Sequence, residues 1–391
     1  MKKILIIAYN YPPINNGGVQ RILNFKKYLP EFGYDTYVLT TDSYGKIEGE
    51  RNVFRIPDRG FELSHKSFFI IKYPFKVIRK LSVKVGIVGD WFFWWRKEVE
   101  KNVDKIIKDN RFDYIIASYP PISDLELGEY ISKRYSIPLI IDYRDGLMYD
   151  PFDYIRNSRM QTERAKKLES RLAKMAKLQI VVNNGMLNYY KNRYIAKTIM
   201  VPNGFDDYEK FNELPIQLPD GFNILYTGAL GLSRNNYNIS VIIEIIKQNN
   251  DVNFVFIGDY AKTEISEFRK LKNVYIIPKT ERKKIIPTQR SADMLLLVSG
   301  EDKGGTSGKL YEYIFANTPI LNLGTKNEAA RLIEEAECGK TYPPYEKDEI
   351  REYIENVKDG KLSFKFNRLK KLSRKEQCKY LAEYMNRIGE Q

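Results

Sequence analysis

The chain alternates short, almost continuous apolar runs with longer segments whose apolar residues recur at helical spacing. "ILIIAY", "DTYVLTT", "DYIIAS", "PLIIDY" and "LQIVVNN" form one series, and "NILYTG", "NFVFIG", "NVYIIP" and "DMLLLVSG" a second. Strands that are apolar along their whole length are covered on both faces, and strands separated by helices pair in parallel. The pattern predicts an α/β protein of two Rossmann-like domains with parallel sheets facing a central cleft.

Between the two series lies "TIMVPNGFDDYEKFNELPIQLPDGFNILYTG", where Pro202, Asn203, Gly204, Pro215, Pro219 and Gly221 supply turn chemistry and no periodic segment intervenes. A hinge is therefore expected near residues 202–220. It divides an N-terminal domain, 1–203, from a second domain, 204–365, and a C-terminal helix within 366–391 is expected to pack back on the first. The helical spacing of Leu369, Leu372, Tyr380, Leu381, Tyr384 and Ile388 runs through about 362–388. A length of 391 residues suits two cores better than one.

Composition narrows the chemistry. Lys and Arg number 64 against 50 Asp and Glu, a net charge of +14 that favours anionic partners: nucleic acid, phosphorylated metabolites or an acidic membrane surface. Cys338 and Cys378 are the only cysteines and His65 the only histidine, so neither a disulfide framework nor a Cys/His zinc site is available, and a reducing cytosol fits. The opening "MKKILIIAYN" is too short in its apolar run for a signal peptide and reads as a first strand, Ile4 to Tyr9. Lys72, Lys76, Arg79 and Asp90 interrupt the most apolar windows, which leaves no membrane-spanning helix.

Ligands of such sheets bind beyond the carboxyl ends of the strands, so the chemistry is sought in strand-to-helix loops. In "YNYPPINNGGVQR", Gly17 and Gly18 remove side chains just before a helix from about Val19, whose free amides and positive dipole end suit phosphate. The loop lacks both GxGxxG spacing and a Walker lysine, and an ordinary tight turn is the alternative. In "YTGALGLSRNN", strand Asn223 to Thr227 ends at Gly228 and Arg234 follows; its guanidinium could grip a diphosphate or simply be solvated. In "GGTSGKLYEYIFANTPIL", strand Asp293 to Ser299 leads through Gly304, Gly305, Thr306, Ser307 and Gly308 to Lys309 at a helix start, where a cation opposes the dipole unless an anion is bound. Glu312 shares a face with Lys309, so an intrahelical pair is the alternative. In "IIDYRDGLMYD", after strand Pro138 to Asp142, the charges of Asp142, Arg144 and Asp145 crowd a strand end, as either a ligand-positioning group or an Asp–Arg pair.

The order and spacing of "YPP…GG…R", "RD" after the fifth strand, "VPNGFD", "YTGALG", "RSADMLLLV" and "SGKLYEYIFANTPIL" resemble the retaining GT-B glycosyltransferases, specifically the family 4 group of bacterial sugar transferases. The resemblance implies that Gly17 and Gly18 lie beside a donor diphosphate and that Glu312 holds the nucleotide ribose. It implies donor contacts from Gly228, Arg234, Thr306, Ser307, Gly308, Lys309 and Leu310. The family's basic pair falls on Arg234 and Ala229, and its first glutamate falls on Gly304. Where the family often carries a histidine after the fourth strand, this chain reads "ASYPPIS".

The implied reaction loses a nucleoside diphosphate as a sugar cation develops, so stabilising the leaving charge matters most. Arg234 and Lys309 are the expected catalytic cations, with Asp145 orienting acceptor or sugar beside Asp142 and Arg144. No metal and no cofactor is expected. The implied partners are a UDP- or GDP-sugar and a glycan or polyprenyl-diphosphate-linked acceptor, as in capsule, O-antigen or related polysaccharide assembly. Aromatic and basic residues mix between Lys66 and Lys101, which suits an interfacial helix on an anionic membrane; two amphipathic helices covering the sheet are the alternative. The expected location is thus cytoplasmic, peripheral at the inner face of the plasma membrane. A GT-B-like UDP-sugar epimerase and a basic nucleic-acid binder are competing readings. No nucleic-acid-binding module is recognisable, so nucleic acid is not an expected partner.

Overall fold

A computed structural model of the chain describes residues 1–14, 17–65, 69–149, 158–207, 210–228, 239–260, 262–300 and 308–389. Contacts divide it into two compact units, Met1–Asn203 with Arg374–Gln391, and Gly204–Ser373.

The first unit carries β1 (Lys2–Ile7), β2 (Tyr34–Thr41), β3 (Val53–Ile56), β4 (Tyr114–Tyr119), β5 (Leu139–Tyr143), β6 (Leu178–Val181) and β7 (Thr198–Met200), in the order β3-β2-β1-β4-β5-β6-β7. The second carries β8 (Asn223–Thr227), β9 (Asn253–Ile257), β10 (Val274–Ile277), β11 (Met294–Gly300), β12 (Ile320–Gly324) and β13 (Gly339–Tyr342), in the order β10-β9-β8-β11-β12-β13. Every pairing is parallel. Ile4, Leu5, Ile6 and Ile7 of the central β1 are fully buried because helices cover both faces. In each sheet the strand order runs one way from the first strand and then reverses, between β1 and β4 and between β8 and β11. Such reversals splay the two flanking connections apart and open a crevice at the carboxyl ends.

Strand ends differ from the sequence reading by one or two residues, and four strands escape it. β3 and β13 lie at sheet edges and are only partly buried, so their sequences lack a continuous apolar run. β7 spans three residues at another edge. β12 is fully buried, but Asn322 and Gly324 disguise it; Asn322 donates to Thr341 on β13 at 3.1 Å.

The C-terminal helix is shorter than its periodicity suggests, Arg374–Gly389 rather than a start near 362. Leu369 and Leu372 belong instead to the core of the second unit, and Cys378, Leu381, Ala382 and Met385 reach the core of the first. There Tyr34 donates to Asn386 at 2.5 Å and Tyr114 to the Met385 carbonyl at 3.2 Å.

The basic aromatic stretch splits. The helix Phe93–Asn110 buries Trp95, Val99 and Val103 as an ordinary sheet-covering helix. The helix Phe69–Lys84 and the turn after it leave Val77, Ile78, Leu81, Val85 and Ile87 exposed. Among the described residues no helix is long and apolar enough to cross a membrane.

Candidate functional site

In the second unit the sequence brings three separate segments to one point. β8 ends at Gly228, whose φ of 96° lies in the left-handed region that glycine tolerates. The helix Gly308–Ala316 follows β11, the strand beside β8. Lys309, on its first turn, lays its stem over Gly228: a Cβ there would sit 2.7 Å from the lysine Cε and 3.1 Å from Nζ. Gly258, ending β9, is equally confined, since its Cβ would meet the Gly228 carbonyl at 2.8 Å. Gly258 thus leaves room for the Gly228 backbone, and Gly228 for the lysine.

The ammonium of Lys309 donates to the Tyr226 hydroxyl at 2.5 Å and lies 4.2 Å from the centre of that ring. Burial lowers its pKa to about 8, against the raising influence of Glu312. Desolvation therefore outweighs attraction, and the cation is held where an anion would stabilise it. The helix bearing it is fixed from behind. Tyr313 accepts from the Thr227 amide at 3.0 Å, and Gln289 donates to the Thr227 hydroxyl at 3.0 Å. Leu310, Tyr311, Tyr313, Ile314 and Phe315 are buried, leaving Lys309 and Glu312 as the polar side chains of the outward face.

Glu312 meets Arg282, from the helix Arg282–Ser291, rather than closing an intrahelical pair with Lys309. Both partners are 28% exposed, so the carboxylate stays reachable from solvent. The Arg282 guanidinium lies 6.0 Å from the Phe211 ring. The sequence reading missed Arg282 and Tyr226, because no local spacing joins either residue to the loop it serves.

The first unit gathers charge at its own reversal. Asp142 is fully buried on β5, where Arg21 binds it through two nitrogens at 2.8–3.0 Å and Ser118 donates at 2.9 Å. Arg21 also donates to the carbonyls of Val201 and Pro202 at 2.9 and 3.2 Å. Asp142 consequently supports the strand end from behind and offers no ligand-facing surface, a correction to its expected place beside an acceptor. The predicted Asp–Arg pair exists with a different arginine, the one that closes "GGVQR".

Arg144 packs its guanidinium against Gly18, where a Cβ would fall 1.4 Å from Nη1, and donates to the Pro120 carbonyl. Burial lowers its pKa, while Asp142, Asp145 and Asp124 oppose that shift. Asp124, buried at the start of the helix Ile122–Tyr135, accepts from the Tyr9 amide at 3.0 Å, and burial raises its pKa well above the usual carboxylate range. Gly17 and Gly18 open the helix Gly17–Tyr28 beside this cluster. Asp145 is exposed. The turn after it is held by Glu169, which accepts from the Met148 amide at 2.9 Å and from Tyr189, Tyr190 and Tyr194 at 2.9–3.1 Å.

Of the expected donor residues, Gly228, Gly308, Lys309 and Glu312 lie together, and Leu310 joins them through its backbone only, because its side chain is in the core. Arg234, Thr306 and Ser307 lie outside the described residues, as do Gly304 and Ala229. His65 stacks on Phe61 at 4.2 Å in the first unit.

No family model matches the chain, and no curated protein matches it in sequence. Solved structures do match in fold over essentially its whole length. Sucrose-phosphate synthase from Thermosynechococcus elongatus is similar at a TM-score of 0.65 and 13% identity, covering 100% of this chain and 98% of that one. Anabaena HepE, solved in complex with UDP and glucose, is similar at 0.62 and 16% identity, covering 100% and 99%. UDP-GlcNAc 2-epimerase from Methanocaldococcus jannaschii is similar at 0.58 and 10% identity, covering 99% and 100%. The fold is GT-B, built of two parallel-sheet α/β domains.

Proposed function

We propose that the chain is a glycosyltransferase that moves a sugar from a nucleotide-sugar donor, UDP- or GDP-linked, to a glycan or lipid-linked glycan, retaining anomeric configuration and using no metal. The observation that carries the reading is Lys309: a desolvated cation over Gly228, at a helix start beyond the carboxyl ends of β8 and β11. A donor diphosphate there meets the ammonium and the amides of the first helical turn, which together stabilise the charge that develops as the glycosidic bond breaks. Glu312, one turn on, accepts the ribose hydroxyls. Arg234 supplies a second cation.

The acceptor belongs to the first unit, where Asp145 is the exposed acid of its loop and orients the attacking hydroxyl or the sugar. The exposed apolar residues between Val77 and Trp94 support an acceptor presented at an anionic membrane, such as a polyprenyl-diphosphate-linked glycan in surface polysaccharide assembly.

The test is a thermal-shift screen with UDP, GDP, ADP and their sugar conjugates on the wild type, Glu312→Ala and Arg234→Ala. One nucleotide series should raise the wild-type Tm, and both variants should respond less. Equal stabilisation of all three proteins removes the donor site from this position. Interconversion of a UDP-sugar with its epimer, without an acceptor, assigns the fold to the epimerase reaction instead.

A further inference from the structure

A cavity of about 400 Å³ lies in the first unit along the helix Arg159–Met175. Gly86, Met160, Arg164, Lys167 and Arg171 line it together with Glu126 and Glu163. Its roof is the turn at Gly86 and Ile87, within the exposed apolar row. Arg164 donates to the carbonyls of Gly86 and Ile87 at 3.4 and 3.1 Å, and Ser158 donates to that of Lys84 at 2.6 Å. Gly86, with a φ of 71°, sits so close that a Cβ would meet Met160 at 3.2 Å. Basic cavity and apolar row are therefore one piece of surface. On it Ile78 is 62%, Ile87 67% and Met160 60% exposed.

The charges around the cavity are held in place yet not balanced. Glu126 takes both Arg96 and Arg164, and Glu129 takes both Arg171 and Lys133. Glu100 takes Arg96 again together with Lys97. Of the residues that line the cavity, Arg164, Lys167 and Arg171 face Glu126 and Glu163, an excess of one positive charge. The Arg164 Nε is buried without a hydrogen-bond partner. Fixed guanidinium groups, an excess of positive charge and an orphaned donor are what a phosphate requires. An apolar rim that no soluble anion would use adds a second condition.

We propose that this cavity binds the phosphate of an anionic membrane lipid while the apolar row from Val77 to Trp94 enters the bilayer interface beside it. The row contributes apolar burial and the cavity contributes headgroup selectivity, the two contributions that hold interfacial helices on membranes. The site deepens the membrane reading given above and does not depend on the donor site.

The experiment is flotation of the full chain with vesicles of phosphatidylcholine alone or mixed with phosphatidylglycerol. The wild type should float with the mixed vesicles and stay behind with phosphatidylcholine. Ile78→Asp with Ile87→Asp should abolish flotation. Lys167→Gln with Arg171→Gln should weaken it about tenfold or more, whereas Lys105→Gln with Lys108→Gln, an equal charge loss on the exposed face of another helix, should weaken it less than about threefold. Equal losses in the two charge pairs overturn the cavity in favour of general attraction. Inorganic diphosphate that binds as tightly without vesicles, unaffected by the Ile78 and Ile87 changes, overturns the lipid as occupant. Self-association abolished by those same changes overturns the membrane in favour of a second copy of the chain. The affinity of the cavity variants for UDP should equal that of the wild type, so failure of donor binding and failure of this site are read separately.

Discussion

The two sheets reverse strand order in the same way and place different charge arrangements near the reversal. In the first unit Asp142 and Arg21 neutralise one another in full burial, with Ser118 and two carbonyls completing the set. In the second unit Lys309 is half-buried, donates to a neutral tyrosine hydroxyl and loses more to desolvation than it gains from Glu312. A charge network that satisfies itself holds strands in place. A cation at a helix start whose burial lowers its pKa gains from an anion bound beside it, which is the basis of the donor-site proposal.

That contrast can be broken by substitution. Arg21→Ala leaves Asp142 charged and buried, and should cost about 3–5 kcal/mol, read as a fall in the urea midpoint. Gly228→Ala forces a Cβ into a left-handed backbone and into Lys309, and should cost about 1–3 kcal/mol by the same measurement. Lys309→Met should change ligand-free stability in the opposite direction by a smaller amount, about 1–2 kcal/mol, because it removes a desolvated charge. The sign follows from linkage. The lysine pKa is lower in the folded protein than in the unfolded chain, so between about pH 8 and the ordinary lysine value the unfolded state holds the extra proton and wild-type stability rises with pH. Lys309→Met should lack that rise. The smallest effect concerns the ribose. Glu312→Ala should weaken UDP binding about tenfold and erase any preference for UDP over 2′,3′-dideoxy-UDP, with Arg282→Ala intermediate in calorimetric titrations.

The sheets were legible where their strands are buried on both faces, because such strands must be apolar throughout. Legibility failed at β3 and β13, where an edge position allows polar residues, and at β12, where a buried asparagine finds its partner on the next strand. The candidate site divides similarly. Gly228, Lys309 and Glu312 could be read from loops following apolar strands, since topology alone dictates that those loops converge. Arg282 and Tyr226 could not, because their roles depend on packing between a helix and a strand distant in sequence. Asp142 shows the converse: a charge at a strand end reads the same whether it faces solvent or, as here, an arginine 121 positions away.

The most direct measurement is the calorimetric affinity of wild type and Lys309→Met for UDP between pH 6.5 and 9. The account predicts a wild-type affinity that falls as pH rises through about 8, where Lys309 loses its proton, and a variant whose binding is much weaker and flat across the range. Equal affinity in the two proteins, with the same pH profile, would contradict the assignment of Lys309 to the donor diphosphate.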